Sequence, residues 1–127
     1  MTIKYLSGNR ISGLSSDANA TGGTITTSGG KRIHTFTASG DIFKPSSAFN
    51  VEYLIIAGGG GGGHAGGGAG GYRTNVTGDT SGGGASAESS YSVTTQNYTI
   101  TVGAGGAGGT AGTGTNGSLS SIAPVTS

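Results

Sequence analysis

Three features of the sequence point to an all-β fold. Apolar and polar residues alternate over short runs. No apolar repeat of helical period extends over a useful length. Glycine occupies 30 of the 127 positions, and glycine weakens helices because it loses more backbone freedom on folding than any other residue. The expected architecture is a small β-sandwich or jelly-roll-like domain over residues 23–127, with glycine-rich, polyglycine-II-like loops. An extended N-terminal arm, residues 1–22, precedes it.

In the arm, "TIKYLS" reads as a short strand with Ile3, Tyr5 and Leu6 as apolar anchors, and "GNRISGLSSDANATGG" as loop. Anchors this sparse cannot form a core and suit docking onto something else; Ile3, Tyr5, Leu6, Ile11 and Leu14 are the candidate partner-binding residues. From residue 24, "TITTSGGKRIHTFTASGDIF" reads as two strands joined at "SGG", with a second turn at "ASGD". In "RIHTFT" the alternation puts His34 and Phe36 on one face and Ile33, Thr35 and Thr37 on the other. "KPSSAFN" reads as a connection, with Pro45 arguing against a central strand because it has no N–H to donate. "VEYLIIA" is the most apolar run in the chain and, lacking alternation, reads as a central strand covered on both faces. "SAESSYSV" and "NYTITV" supply two further strands. The second is the clearest, with Tyr98, Ile100 and Val102 against Asn97, Thr99 and Thr101. "GSLSSIA" adds a last short one.

Two glycine tracts, residues 58–71 and 103–117, interrupt these strands. In the second, Ala104, Ala107, Thr110, Thr113 and Asn116 stand three apart and most of the rest is glycine. A period of three matches the left-handed polyproline-II helix, which makes no internal hydrogen bonds, so its N–H and C=O groups must find water or a neighbouring helix.

Familiar chemistry is not encoded. Gly58, Gly60 and Gly63 satisfy the G-x-G-x-x-G spacing after a strand, but "HAGGGAGG" follows where a pyrophosphate-binding helix must begin. The phosphate-loop pattern fails because Arg32 follows Lys31 and Ile25 holds the first-glycine position. His34 and His64, the two histidines, have no acidic or thiol cluster in sequence reach, and cysteine is absent, so no cofactor, metal or catalytic residue is assigned and no enzymatic activity is expected. A net charge of +1 and charged residues at 9% leave no basic patch for nucleic acid and no field for anionic lipid. No run approaches the ~18 apolar residues of a membrane span, and "MTIKYLSGNRISGLSS" lacks a signal-peptide apolar core. The Asn-x-Ser/Thr matches at Asn19, Asn75, Asn97 and Asn116 are expected by chance in so Asn-, Ser- and Thr-rich a chain. With so few large apolar residues, burial sufficient for folding is expected to come from assembly with copies of the chain.

The succession "IHTFTASGDIF", "VEYLIIAGGGGGGHAGGGAGGYR" and "YTITVGAGGAGGTAGTGTNGS" resembles the glycine-rich domain common in bacteriophage tail-fibre and tail-spike proteins. The opening "IKYLSGNRISGLSSD" resembles N-terminal segments of fibre-like proteins from environmental, especially marine, phages. The resemblance implies a structural virion protein of the tail, made in the host cytoplasm and without catalysis. It implies a homotrimer, attachment to other tail proteins through the arm, and contact of distal parts with a host surface receptor. The family pattern usually continues beyond a segment such as "SSIAPVTS", so the chain is expected to be the N-terminal part of a longer fibre or a short member. A cell-surface filament or adhesin subunit, built on the same glycine-and-strand physics, is the alternative; an ice-binding protein is a third reading, weakened by the short Thr/Ala array.

Overall fold

The computed structural model of the protein describes residues 19–110 and 112–127, together with the backbone of residues 5–6 and 10–11. The chain is all-β, built from several antiparallel sheets that do not close into a barrel. Its helical content among the described residues is a single 3-10 turn, Gly82–Gly84. Among the described residues no helix is long and apolar enough to cross a membrane.

The largest sheet has five strands in the order β13–β12–β11–β6–β3: β3 (Ala20–Thr21), β6 (Ile42–Pro45), β11 (Tyr98–Thr101), β12 (Ser121–Ile122) and β13 (Val125–Thr126). Four two-stranded ladders complete the set. They are β1 (Tyr5–Leu6) with β2 (Arg10–Ile11), β4 (Thr24–Ser28) with β5 (Lys31–Thr35), β7 (Phe49–Val51) with β10 (Tyr91–Val93), and β8 (Leu54–Ile56) with β9 (Tyr72–Thr74). The β4–β5 hairpin turns through Gly29 and Gly30, whose φ values of 57° and 76° are those a tight two-residue hairpin loop demands and side chains resist. Ala20–Thr21, grouped with the arm on sequence, pair with Pro45 and Lys44, and Ala20 is buried in the core.

Phe43, Tyr98, Ile100, Val93 and Ala20 form that core. The chain has eight aromatic residues, five Tyr and three Phe, and strings several of them into one row. His34 and Phe36 each stand edge-on to Phe43, with ring centres 5.1 and 6.4 Å away. Phe43 meets Tyr98 at 6.3 Å, Tyr98 meets Tyr91 at 6.4 Å, and Tyr91 meets Tyr53 at 6.3 Å. Edge-to-face pairs add roughly 0.5–1.5 kcal/mol each beyond the area they bury, which matters in a chain this poor in large side chains. The predicted alternations hold: His34 and Phe36 face inward while Ile33, Thr35 and Thr37 are exposed, and Tyr98 and Ile100 are buried between exposed Thr99 and Thr101.

Three expectations are corrected. Pro45 does end a strand in the interior of a sheet, and it is fully buried. The geometry permits this because β11 pairs only with Ile42 and Phe43, so Pro45 lies where β6 is paired on the β3 side alone. "VEYLIIA" is not one central strand covered on both faces. It contributes the end of β7 and all of β8, separated at Glu52–Tyr53, where the Asn75 side chain accepts from the Tyr53 N–H at 2.7 Å. Ile55 is buried, but Leu54 and Ile56 are exposed. "GNRISGLSSDANATGG", read as loop, also holds two strands, β2 and β3; like β9 and β13, they carry too few residues to announce themselves by alternation.

Candidate functional site

The glycine tracts are ordered, and each continues a pair of strands. β8 runs into residues 57–63, and residues 66–71 return to β9. β11 runs into residues 103–109, and residues 112–118 return to β12. Register passes unchanged from strands to glycines. Beyond the Ile56–Tyr72 pair, the Ala57 N–H donates to the Gly71 carbonyl (2.8 Å) and Gly60 to Gly68 (2.9 Å). Beyond Thr101–Ser121, Ser118 donates to Ala104 (2.8 Å) and Thr115 to Ala107 (2.9 Å). What changes is the period, from two in the strands to three in the glycines.

The two glycine arms then pack on one another. Gly58 and Gly61 donate to the carbonyls of Ser118 and Thr115 (2.9 and 2.8 Å). The carbonyls of Gly59 and Gly62 accept from Gly106 and Gly109 (2.8 and 2.9 Å). Residues 57–62 therefore spend successive positions on three different neighbours, one row of bonds every third residue. Only a threefold helix presents its groups in that order. None of the described glycines in the two tracts has a positive φ, as the polyproline-II conformation requires. This is a four-segment polyglycine-II lattice with residues 57–62 at its centre.

Contact distances explain the glycine pattern. A Cβ on Gly58 or Gly61 would lie 2.0 Å from the carbonyl oxygen of Ala104 or Ala107. On Gly67 and Gly70 it would lie 2.0 Å from the carbonyls of Gly60 and Ala57, and on Gly114 and Gly117 2.0 Å from those of Gly61 and Gly58. In each case an α-hydrogen points at a carbonyl instead, a weak Cα–H···O contact repeated at period three. Ala104, Ala107, Thr110, Thr113 and Asn116, the residues whose spacing suggested the conformation, are all exposed. His64 and Ala65 lie where the first arm reverses, and both are exposed. Side chains secure the lattice at its edges: Thr115 Oγ1 accepts from the Ala107 N–H at 2.7 Å, and Ser120 Oγ from Gly103 at 2.9 Å.

A polar knot holds the base of the first arm. The Arg73 guanidinium on β9 donates from Nε to the Glu88 carboxylate and from Nη1 to the Thr126 carbonyl. Tyr53 donates its hydroxyl to the same carboxylate at 2.5 Å. The bond from Arg73, and then that from Tyr53, holds the Glu88 pKa below its ordinary value. Burial, reinforced by Glu88, pushes the Tyr53 phenol up to about 12. A carboxylate with a depressed folded-state pKa stabilises the fold above its unfolded pKa, and that contribution is lost as pH falls through the folded value. The urea midpoint of the protein is therefore expected to fall on acidification below the ordinary carboxylate range, and Glu88→Gln to flatten that fall. An identical pH profile in the variant would remove Glu88 from the account.

Side-chain chemistry is sparse. The His34 Nδ1–H donates to the Gly22 carbonyl at 2.8 Å, and its part-buried ring packs edge-on against Phe43 of the core. Among the described residues no three His, Asp or Glu side chains gather into a metal-ion site. Of the candidate partner-binding residues, Tyr5 and Leu6 pair through their backbone with Ile11 and Arg10. Ile3 and Leu14, and the side chains of Tyr5, Leu6 and Ile11, lie outside the described residues. The knot escaped sequence reading because Arg73, Glu88, Tyr53 and Thr126 are far apart in the chain and share no motif.

The two strand pairs are thus prolonged into a glycine lattice whose hydrogen bonds run from backbone to backbone. Residues 34–127 match the model of a family described as the glycine-rich domain, and the chain belongs to that family. The matched span includes both glycine arms and the strands that carry them. No curated protein and no solved structure matches the chain.

Proposed function

We propose that the protein is a structural component of a bacteriophage tail fibre, attached to the tail through its N-terminal arm and supporting adsorption to the host. The observation that carries this reading is the lattice, in which residues 57–62 are hydrogen-bonded on three sides by neighbouring glycine segments. Such a lattice supplies stiffness without side-chain chemistry, and it suits a part whose work is to hold a position outside the cell. Low charge, at 9% of residues, and the ordered succession of strand and glycine tract support the same reading. In it, Ile3, Tyr5, Leu6, Ile11 and Leu14 dock to a tail protein, copies of the chain associate, in the family manner as a trimer, and receptor contact falls to distal parts of the fibre.

Labelling purified virions with an antibody to the chain tests this directly. The expected result is decoration of the tail, lost when Tyr5 and Leu6 are both changed to Asp in the virus-borne protein. Purified particles that lack the chain, or carry it on the capsid, would exclude the reading.

A further inference from the structure

We propose that Asn116 is a site of spontaneous backbone modification. There the chain converts its own Asn116–Gly117 peptide to an isoaspartyl link, and the glycine lattice loosens with age.

The chemistry needs three conditions at one residue. The side-chain amide must be free, the next residue must leave its main-chain nitrogen uncrowded, and the peptide between them must be able to turn. Three of the described asparagines have engaged amides. Asn19 Oδ1 accepts from Arg32, Asn50 Oδ1 from Ser92, and Asn75 accepts from the Tyr53 N–H and donates to the Val51 carbonyl. Asn97 is followed by Tyr98, which is buried in the core. Asn116 is exposed, and its side chain has no hydrogen-bond partner among the described residues. Glycine follows it, in the one Asn-Gly pair of the chain.

The lattice leaves the right peptide loose. On one side of it Thr115 donates to Ala107 and accepts from Gly61; on the other Ser118 donates to Ala104 and accepts from Gly58. The peptide unit between them consists of the Asn116 carbonyl and the Gly117 N–H. It takes part in none of these bonds, nor in any other among the described residues. In the threefold backbone the Gly117 nitrogen stands to one side of the Asn116 side chain, so the unit has to turn before the two can meet. Turning it breaks no hydrogen bond, and glycine at 117 accepts the φ that the turn leaves.

The step is an intramolecular acyl transfer. The Gly117 nitrogen, having given its proton to hydroxide, attacks Asn116 Cγ. The N–Cγ bond forms, the Cγ–Nδ2 bond breaks, and ammonia leaves with a proton taken from water. Water then opens the five-membered imide. Opening at Cγ restores an ordinary main chain with aspartate at 116. Opening at the original main-chain carbonyl carbon routes the main chain through Cβ and Cγ, which is the isoaspartyl product. Geometry decides what each product does. Thr115 and Ser118 match their three-residue spacing to that of Gly61 and Gly58 on the central segment. An extra main-chain carbon at 116 lengthens one side of that match and not the other. The aspartyl product keeps the spacing and only cancels the net charge of +1.

The test ages the purified full chain at neutral and mildly alkaline pH, both folded and in guanidinium chloride. Peptide mapping that separates isoaspartate from aspartate reads the products. Conversion is expected at residue 116 ahead of every other asparagine, and to quicken as pH rises because the attacking nitrogen must lose its proton. The folded rate is expected to lie within about tenfold of the unfolded one, since a hydrogen bond that had to break first would slow it by up to about that factor. Stronger protection by the fold, or conversion led by another asparagine, overturns the site. The aged chain is expected to melt lower and to exchange the Gly58 and Gly61 amides faster. Asn116→Asp should match the fresh wild type, and Asn116→Gln, whose extra methylene disfavours ring closure, should age without either change. An isoaspartate-rich chain with unaltered melting and exchange overturns the loosening. So does an equal loss in fresh Asn116→Asp, because charge rather than main-chain length would then be the cause.

Discussion

Gly61→Ala is expected to destabilise the protein by about 3 kcal/mol, lowering its melting temperature by on the order of 10 °C, whereas Gly68→Ala leaves it unchanged or raises it. The added methyl at Gly61 would lie 2.0 Å from the Ala107 carbonyl oxygen, 2.4 Å from that carbonyl's carbon and 2.8 Å from the Gly106 oxygen. All three atoms are backbone, so no side chain can swing aside. Relief comes only by parting the two arms, which weakens the donation of Gly58 and Gly61 to Ser118 and Thr115 and that of Gly106 and Gly109 to Gly59 and Gly62. At Gly68 a Cβ meets nothing within 4 Å and φ is not positive. The substitution there leaves the carbonyl free to accept from Gly60 and reduces the freedom of the unfolded chain, worth about 0.4–1 kcal/mol. Calorimetry reads both changes. Amide exchange at Gly58, Gly106 and Gly109 should accelerate in Gly61→Ala alone. Equal effects from the two substitutions would mean that the arms do not pack as a lattice.

Phe43→Ala is expected to cost about 3–5 kcal/mol, the largest loss from a single side chain in the sheets, and to lower the urea midpoint by roughly 2 M. Phe43 is buried and touches His34, Phe36 and Tyr98. Its removal leaves a cavity and breaks the aromatic row at the ring that joins β5 to the five-stranded sheet. The adjacent Ile42→Ala makes the comparison, since Ile42 points outward and is 43% exposed; it should cost well under half as much. Similar midpoints for the two variants would show that the core does not run through Phe43.

Much of the fold was legible because its causes are local. Alternation in "NYTITV" and "RIHTFT" assigns inward and outward faces, and "SGG" marks a hairpin whose glycines take positive φ. The three-residue spacing from Ala104 to Asn116 reveals the backbone conformation of the second tract, because small side chains can be carried only where a threefold helix turns outward. "VEYLIIA" misled for the opposite reason. Its composition reports that both faces are apolar, but whether both are covered depends on what else arrives. The Asn75 side chain and the β9 pairing decide that, from residues well downstream. Pro45 misled similarly, since its missing N–H matters only if a strand pairs on that side, and β11 stops at Phe43.

By itself, then, the sequence determined an all-β chain with two glycine tracts, one of them visibly threefold, and too few charges or clustered titratable groups for a recognisable catalytic motif. Tertiary structure alone decided that the tracts are prolonged hairpins in unbroken register, that residues 57–62 stand at the centre of their lattice, and which glycines tolerate a side chain. The physical reason is the polyproline-II backbone. It makes no hydrogen bonds within itself, so its order comes wholly from neighbours, and the chain distance to those neighbours is not written in any local spacing.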